Sequence, residues 1–195
     1  MYEIIGTRAS RAIRVLWLAE ELALDYTHIP AKPRSDEARA ANPSGKIPAL
    51  REGDAVITDS TAIMTYLADK HGALTAPAGT IARARQDAMT QTILDDLDGV
   101  LWTAARHSFI LPEEHRVPEV KDSLKWEYAR NIARIEDGLS GPFVMGEAMS
   151  VPDILLTHCL RWAGMAQFPA PGEKLTAYQE RMQARPAFQK VIDMP

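Results

Sequence analysis

Residues 42–50 read Asn-Pro-Ser-Gly-Lys-Ile-Pro-Ala-Leu, and residues 59–63, a short distance further on, read Asp-Ser-Thr-Ala-Ile. The apolar end of the first stretch predicts a strand over residues 47–51. Proline is normally excluded from a sheet, and a cis bond between Ile47 and Pro48 at the strand edge resolves this conflict. Such a bond would turn the Ile47 N–H and C=O outward, where an extended peptide can pair with them. A trans proline in an irregular loop is the alternative.

The sequence on either side of this stretch alternates short apolar runs with helical segments, a rhythm typical of a βαβ unit followed by a hairpin. Glu52-Gly53-Asp54 is the hairpin turn. Prolines leave room for at most one short helix between residues 30 and 46. The predicted elements are a strand ending at residues 4–5, a helix over 10–22, strands over 26–29, 47–51 and 55–58, and a helix over 60–71.

The rest of the chain is predicted to be wholly helical. Residues 72–80 carry no charge and contain three Gly or Pro residues, so we place a linker there. Ser150-Val151-Pro152-Asp153 is a capping pattern that predicts a helix start. Two apolar stripes at helical spacing predict long amphipathic helices: Met89, Ile93, Leu97, Leu101 and Ala104, then Val120, Leu124, Tyr128, Ile132, Ile135 and Leu139. The fold class is therefore α+β, with an α/β domain followed by an all-α helical bundle.

Composition narrows the range of partners. The chain has 195 residues, a formal net charge of -4 and a pI of about 5.7, so we expect no nucleic-acid surface. Its single cysteine excludes an internal disulfide and a Cys-x-x-Cys pair. Together with five scattered histidines, it offers no metal-ligand spacing, so we expect no metal. Without an 18-residue apolar stretch or a signal-like start, we expect no membrane contact and a cytoplasmic location.

Asp59-Ser60 precedes a predicted helix. A serine that opens a helix caps it and leaves free N–H groups that favour an anion such as a carboxylate. A simple N-cap without a ligand explains the same two residues equally well.

Four segments in order resemble the glutathione transferase superfamily, whose usual form is Asn-Pro-x-Gly-x-Val-Pro-x-Leu followed by Glu-Ser or Asp-Ser. The other two segments are Arg14-Val15-Leu16-Trp17 with Glu20-Glu21-Leu22, and residues 178–188 with Arg185-Pro186-Ala187-Phe188. The resemblance implies a thioredoxin-like glutathione-binding domain over residues 1–71, a linker over 72–80 and an all-helical domain over 81–195. It also implies a homodimer.

The resemblance implies a role for each residue of the motif. Ser60 would hold the γ-glutamyl carboxylate of glutathione through its hydroxyl and N–H, with Asp59 near the α-amino group. The backbone of Ile47, before Pro48, would pair with the cysteinyl part. Lys46 or Arg34 would lie near the glycyl carboxylate.

A hydroxyl that activates the glutathione sulfur is expected between the first strand and the first helix, since a helix start favours a thiolate. Lowering a thiol pKa from about 8.5 by roughly two units takes about 2.7 kcal/mol. A hydroxyl hydrogen bond and the helix terminus, each worth about 1 to 3 kcal/mol, can supply this. Thr7 fits the pattern of one branch of the family, and Ser10 fits the pattern of another. We favour Ser10, which is also the expected helix N-cap.

Trp102, Arg106, His107 and Phe109 fall late in the first long helix of the bundle. The resemblance implies that this helix lines the pocket for an electrophile. The alternative is that these side chains pack in the core or lie on the surface and line no pocket.

The function implied by the resemblance is a glutathione transferase. It would join the thiolate of glutathione, its cosubstrate, to a small hydrophobic electrophile in a detoxification reaction. Peroxide reduction, dehalogenation and glutathione-dependent isomerisation use the same site. A glutathione-binding or scaffold protein without turnover is the alternative of another class.

Overall fold

A computed structural model describes residues 1–194. Its first part is a mixed four-stranded sheet in the order β2-β1-β3-β4. The strands are β1 (Tyr2–Ile5), β2 (Tyr26–Ile29), β3 (Ala49–Glu52) and β4 (Ala55–Thr58). β1 runs parallel to β2 and antiparallel to β3, which forms a hairpin with β4. The helices that accompany the sheet are α1 (Ala12–Glu21), α2 (Asp36–Ala41) and α3 (Ser60–His71).

The second part is helical. Its helices are α4 (Ile81–Ile93), α5 (Gly99–Ala105), α6 (Val120–Gly138), α7 (Val151–Met165) and α8 (Glu173–Gln183), and α9 (Pro186–Ile192) is the last helix of the described residues. Two π-helical segments, Leu94–Asp98 and Arg106–Ile110, extend α4 and α5, and a 3₁₀ turn covers Glu113–His115. The predicted α+β fold class, thioredoxin-like first and all-helical second, is confirmed.

Contacts divide the chain into two compact units. The first comprises residues 1–78 together with the segment from Gln183 onward, and the second comprises residues 79–182. The last helix belongs to the first unit because α9 packs on α1. The ring of Phe188 meets Trp17 edge-on at 4.9 Å, and Arg185 donates two hydrogen bonds, of 2.6 and 2.7 Å, to the Glu21 carboxylate.

The first unit is built around α1, which contacts β1, α3 and α9. Every residue from Ala12 to Ala19 is buried, so this helix is enclosed on all sides. A smaller cluster beneath α2 contains Ile5, Ala31, Ala38, Ala41 and Ala49, with Ile29 and Ile47 packed against it.

Helix α1 starts at Ala12, two residues later than predicted. The Ser10 N–H donates to the Thr7 carbonyl at 3.1 Å, which makes a tight turn before the helix. Arg11 occupies the N-cap position, so the expectation that Ser10 is the N-cap is wrong by one residue. Ser10 still serves the helix start, because its Oγ accepts the Ala12 N–H at 3.1 Å.

The predicted capping box of α7 is confirmed in the second unit. The Asp153 carboxylate accepts the Ser150 N–H at 2.8 Å and the Ser150 hydroxyl at 3.2 Å. It also accepts the Val144 N–H at 2.8 Å and the Tyr178 hydroxyl at 2.9 Å. Burial raises the pKa of Asp153, against these hydrogen bonds, which lower it. This carboxyl therefore joins the start of α7 to the preceding loop and to α8.

Across residues 1–194, no helix combines the length and the apolar character needed to cross a bilayer.

Candidate functional site

The loop over residues 42–46 is shaped by the side chain of Asn42. Its Oδ1 accepts hydrogen bonds from the Ser44 N–H at 3.1 Å and the Ser44 hydroxyl at 2.8 Å. Its Nδ2 donates to the Lys46 carbonyl at 3.1 Å. Gly45 has a φ of +67°, and a Cβ added there would lie 2.9 Å from the Cα of Arg34. The asparagine and the glycine of the motif are therefore required by the path of the backbone.

The same loop brings Arg34 beside Gly45. The Arg34 N–H donates to the Gly45 carbonyl at 2.8 Å, and Arg34 has a φ of +66°. The Arg34 carbonyl in turn accepts from the Nε of Arg39 at 3.1 Å. Arg34, Arg39 and Lys46 are all exposed. This end of the site is a cationic edge that can attract a carboxylate.

Ile47 lies against the end of β1 and the start of α1. The Ile47–Pro48 bond is cis, as predicted. A Cβ added to Gly6 would lie 2.9 Å from the Cβ of Ala12 and 3.2 Å from the Cβ of Ile47. Among residues 1–194, no hydrogen bond engages the N–H or C=O of Ile47. The backbone of Ile47 thus has both groups available next to the strand-to-helix junction.

Asp59, rather than Ser60, caps α3. The Oδ1 of Asp59 accepts the Thr61 N–H at 2.8 Å and the Ala62 N–H at 3.2 Å, and Ser60 is the first helical residue. The expectation that the serine caps the helix is therefore wrong, because the aspartate one position earlier already binds the free N–H groups of the first turn. Asp59 has a φ of +74°, a conformation rare outside glycine.

The position of this cap follows from the hairpin. Ala49 pairs with Thr58 in the antiparallel register, so the next step along both strands sets Pro48 opposite Asp59. The two parts of the motif therefore meet at one end of β3 and β4.

Ser60 has two donors available at this position. It is only 2% exposed, and its Oγ accepts a hydrogen bond of 3.3 Å from the Nη1 of Arg14, itself 1% exposed. Since this bond uses a lone pair, the hydroxyl proton is free to donate. Within the described chain, the Ser60 N–H makes no hydrogen bond. A small anionic group such as a carboxylate oxygen can bind both donors at the positive end of α3.

The two candidate hydroxyls of the junction differ in their hydrogen bonds. The Ser10 hydroxyl donates to the Thr7 carbonyl at 2.7 Å and accepts the Ala12 N–H, so its proton is in use. The Thr7 Oγ1 accepts a long bond of 3.4 Å from the Ala9 N–H. In residues 1–194 no acceptor engages the Thr7 hydroxyl proton.

The predicted pocket residues lie in the second unit on successive turns from α5 into the second π-helical segment. Trp102, Arg106 and His107 are half-buried, whereas Phe109 is 66% exposed. The Nη2 of Arg106 donates to the Thr103 hydroxyl at 2.8 Å. The Nδ1 of His107 accepts the Val117 N–H at 3.0 Å, so a neutral His107 carries its proton on Nε2 and is placed to anchor a loop.

Arg14 is a residue of the site that the sequence analysis did not single out as functional. The sequence signal was present, because a charged residue interrupts an otherwise apolar run from Ala12 to Ala19. A buried arginine needs partners, and one of them, Ser60, lies 46 positions away. Local spacing could not identify it.

Fold and site together define a thioredoxin-like domain in which the backbone groups of Ile47 and the two donors of Ser60 are available to a ligand, followed by a helical domain. A family model described as "Glutathione S-transferase, N-terminal domain" matches residues 4–77. Glutathione S-transferase GstA of Escherichia coli O157:H7 is 30% identical over 163 residues, which cover 80% of this chain and 77% of that protein.

Solved structures agree with these matches. A theta class glutathione S-transferase from Xanthomonas axonopodis pv. citri, with glutathione bound, is 26% identical with a TM-score of 0.78, covering 100% of this chain and 98% of that one. BphK, a bacterial glutathione S-transferase in a ternary complex, shares the fold with a TM-score of 0.87 at 20% identity, covering 97% of both chains. The chain belongs to the glutathione S-transferase family, and the prediction of such an enzyme is confirmed.

Proposed function

We propose that the chain binds glutathione in an extended conformation along Ile47 and α3 and transfers its thiolate to a small hydrophobic electrophile. The observation that carries this proposal is the pair of donors on Ser60 above the buried Arg14. A guanidinium beneath a helix start adds positive charge to the helix dipole, and this arrangement suits a carboxylate. The theta class structure with glutathione bound supports the same choice of ligand.

The γ-glutamyl end binds at α3. The carboxylate accepts from the N–H and hydroxyl of Ser60, while the free Oδ2 of Asp59 lies near the α-amino group. Asp59 is held in its positive-φ conformation by its own capping bonds. Outliers of this kind occur often at binding sites.

The middle and the far end of glutathione follow the chain backwards from Pro48. The cysteinyl N–H and C=O pair with the two available backbone groups of Ile47, as a strand adds to a sheet edge. The glycyl carboxylate then reaches the cationic edge, where Lys46 and Arg34 are both exposed. Charge at both ends of the site would favour a tripeptide with two carboxylates.

For activation of the sulfur, the hydrogen bonds at the junction favour Thr7 over Ser10. A thiolate needs a hydroxyl that donates, and the Ser10 proton is already directed to the Thr7 carbonyl. Ser10 therefore orders the turn that presents Thr7. Its proton would have to break a 2.7 Å bond before it could reach a ligand.

The electrophile is proposed to bind in the helical domain near Trp102, Arg106 and Phe109, where aromatic and cationic side chains occupy neighbouring helical turns. His107 is proposed as an anchor of the loop at Val117. A homodimer and a role in detoxification are proposed on the family resemblance alone, and a cytoplasmic location on the pattern of the sequence.

The proposal is tested by titrating the purified chain with glutathione in a calorimeter and then supplying aryl halides, epoxides and peroxides. Saturable binding with turnover of one electrophile class supports a transferase. Binding without turnover of any class would favour the non-catalytic glutathione-binding protein. A chain that does not bind glutathione at millimolar concentration would overturn both.

A further inference from the structure

The helical unit brings Asp98 close to two adjacent residues of α7, His158 and Cys159, which lie far from it in the sequence. A carboxylate oxygen of Asp98, a ring nitrogen of His158 and the sulfur of Cys159 all lie within 4.8 Å of one another. Asp98 and Cys159 are buried, and His158 is half-buried. Oxygen, nitrogen and sulfur ligands in one place are the mixture that zinc accepts.

The segment that carries Asp98 is held in place by α6. Asp98 ends the first π-helical segment, Leu94–Asp98, and π-helical insertions occur frequently at functional sites. The Asn131 Nδ2 donates to the Asp96 carbonyl at 3.1 Å, and Arg134 pairs with the Asp96 carboxylate. These contacts hold the π-helical segment in the position that brings Asp98 close to His158 and Cys159 of α7.

An independent observation points to the same place. Tyr128 is 0% exposed, yet its hydroxyl has no hydrogen-bond partner among residues 1–194. Tyr128 lies on α6, which packs against the π-helical segment that carries Asp98. Burial and, second to it, the charge of Cys159 raise the pKa of Tyr128. A buried hydroxyl without a partner calls for an explanation, and an adjacent ligand site supplies one.

We propose that Asp98, His158 and Cys159 form a binding site for a divalent transition metal ion such as zinc. Zinc bonds of about 2.0 to 2.3 Å place ligand atoms about 3.3 to 3.8 Å apart, so side-chain rotations that close about 1 Å complete the site. A thiolate, a carboxylate and a neutral imidazole balance the double charge of the ion. On binding, the S–H bond of Cys159 breaks, its proton passes to solvent and a metal–sulfur bond forms.

This site is distinct from the glutathione motif and does not depend on the proposed function. The sulfur and nitrogen ligands favour zinc or cobalt over calcium or magnesium, which prefer oxygen alone. The half-buried His158 is the point at which an ion can enter.

Cobalt(II) is the probe of choice, because the chain has only one cysteine. A thiolate-to-cobalt charge-transfer band in the full, tag-free chain must therefore come from Cys159. We expect this band at saturation with one cobalt per chain, release of one proton per ion, and loss of the band on adding one equivalent of zinc. A wild-type chain that shows no such band at saturating cobalt would overturn the proposal, whatever the folding of any variant.

Variants assign the other ligands. Cys159→Ser should abolish the band, and Asp98→Asn should lower cobalt affinity at least about tenfold. Asp95→Asn is the matched control, since Asp95 is exposed on the same π-helical segment, and it should leave band and affinity unchanged. An Asp98→Asn chain that binds cobalt like the wild type would also contradict the assignment.

Discussion

The Nη1 of Arg14 lies 3.3 Å from the Oγ of Ser60, and both side chains are almost wholly buried. Arginine can only donate, so the serine oxygen accepts and its proton points away from the guanidinium. Arg14 thereby sets the direction in which the Ser60 hydroxyl can donate. The proposed carboxylate at α3 would meet a hydroxyl that is already oriented, which lowers the cost of ordering the site on binding.

Replacing Ser60 with alanine removes this oriented donor. Hydrogen bonds to charged groups contribute about 1.5 to 3 kcal/mol, so we expect the Kd for glutathione to rise about ten- to hundredfold. Titration calorimetry measures the change. Thr65→Ala, which removes a hydroxyl from a later turn of the same helix, is the control and should bind normally. Equal affinities for Ser60→Ala and wild type would remove Ser60 from the binding site.

Thr7→Ala should raise the pKa of the bound glutathione thiol by about one unit, because it removes the hydroxyl that has a free proton to donate. Ser10→Ala should change the pKa less, since that proton already binds the Thr7 carbonyl. Thiolate absorbance of bound glutathione, followed against pH, ranks the two variants. The opposite ranking would assign the activating role to Ser10, as the sequence analysis favoured.

Gly45→Ala should weaken glutathione binding as well as lower stability by more than about 1 kcal/mol. Its φ is +67°, and the new Cβ would lie 2.9 Å from the Arg34 backbone. Gly53→Ala is a matched control, because Gly53 has a φ of +56° but no atom within 4 Å. Both variants carry the backbone strain, and only the first displaces Arg34. Unfolding midpoints and glutathione titrations of the two proteins separate strain from displacement, and equal glutathione affinities would argue against a role for this loop.

The sequence predicted best the helices and strands whose sequence signals lie within the segment itself. Helix α3 and strand β4 have the predicted bounds, because the β-branched run of β4 and the start and stop signals of α3 lie within the segments themselves. The cap of α3 was misassigned because Asp and Ser are both favourable N-caps, and only the backbone angles of Asp59 distinguish them.

Contacts between distant segments left no such signal. Arg14 meets Ser60 across 46 positions, and Asp98 meets Cys159 across a still longer interval. Sequence spacing predicts metal or ion-pair partners only when they share a helix, strand or turn. The junction between Thr7 and Ser10 was correctly placed, but the hydrogen bond that distinguishes their hydroxyls depends on a turn two residues before α1.

Lys70→Met should return the pKa of Glu52 toward its ordinary value. The pKa of Glu52 is held low by a hydrogen bond from Lys70 and, second, by one from Tyr66. A carboxyl whose folded pKa lies below its unfolded value adds stability above the unfolded pKa, and this stability is lost as pH falls through the folded pKa. Carbon-detected NMR of the Glu52 carboxyl measures the shift. Lys174→Met is the control, because Lys174 lies in α8, outside the unit that holds Glu52. An unchanged Glu52 titration in Lys70→Met would show that Lys70 does not set this pKa.

Asp153→Ala should be the most destabilising of these substitutions. The carboxylate is fully buried and accepts from the Ser150 N–H, the Val144 N–H and the Tyr178 hydroxyl. Its removal takes away a helix cap worth about 1 kcal/mol and leaves buried donors without acceptors, so the total cost is about 3 to 5 kcal/mol. Denaturant unfolding of the whole chain measures the loss.

Comparing Asp153→Asn with Asp153→Ala distinguishes the loss of these hydrogen bonds from a simple loss of side-chain volume at residue 153. Asp153→Asn keeps the shape and one acceptor oxygen, so it should retain part of the stability that alanine loses. Asp137→Ala, at an exposed position near the end of α6, should change stability by no more than about 0.5 kcal/mol. If asparagine were as harmful as alanine, both acceptor oxygens of the carboxylate would be required. If neither variant lost stability, the four donors to Asp153 would be satisfied elsewhere, and the carboxylate would not be what joins α7, α8 and the preceding loop.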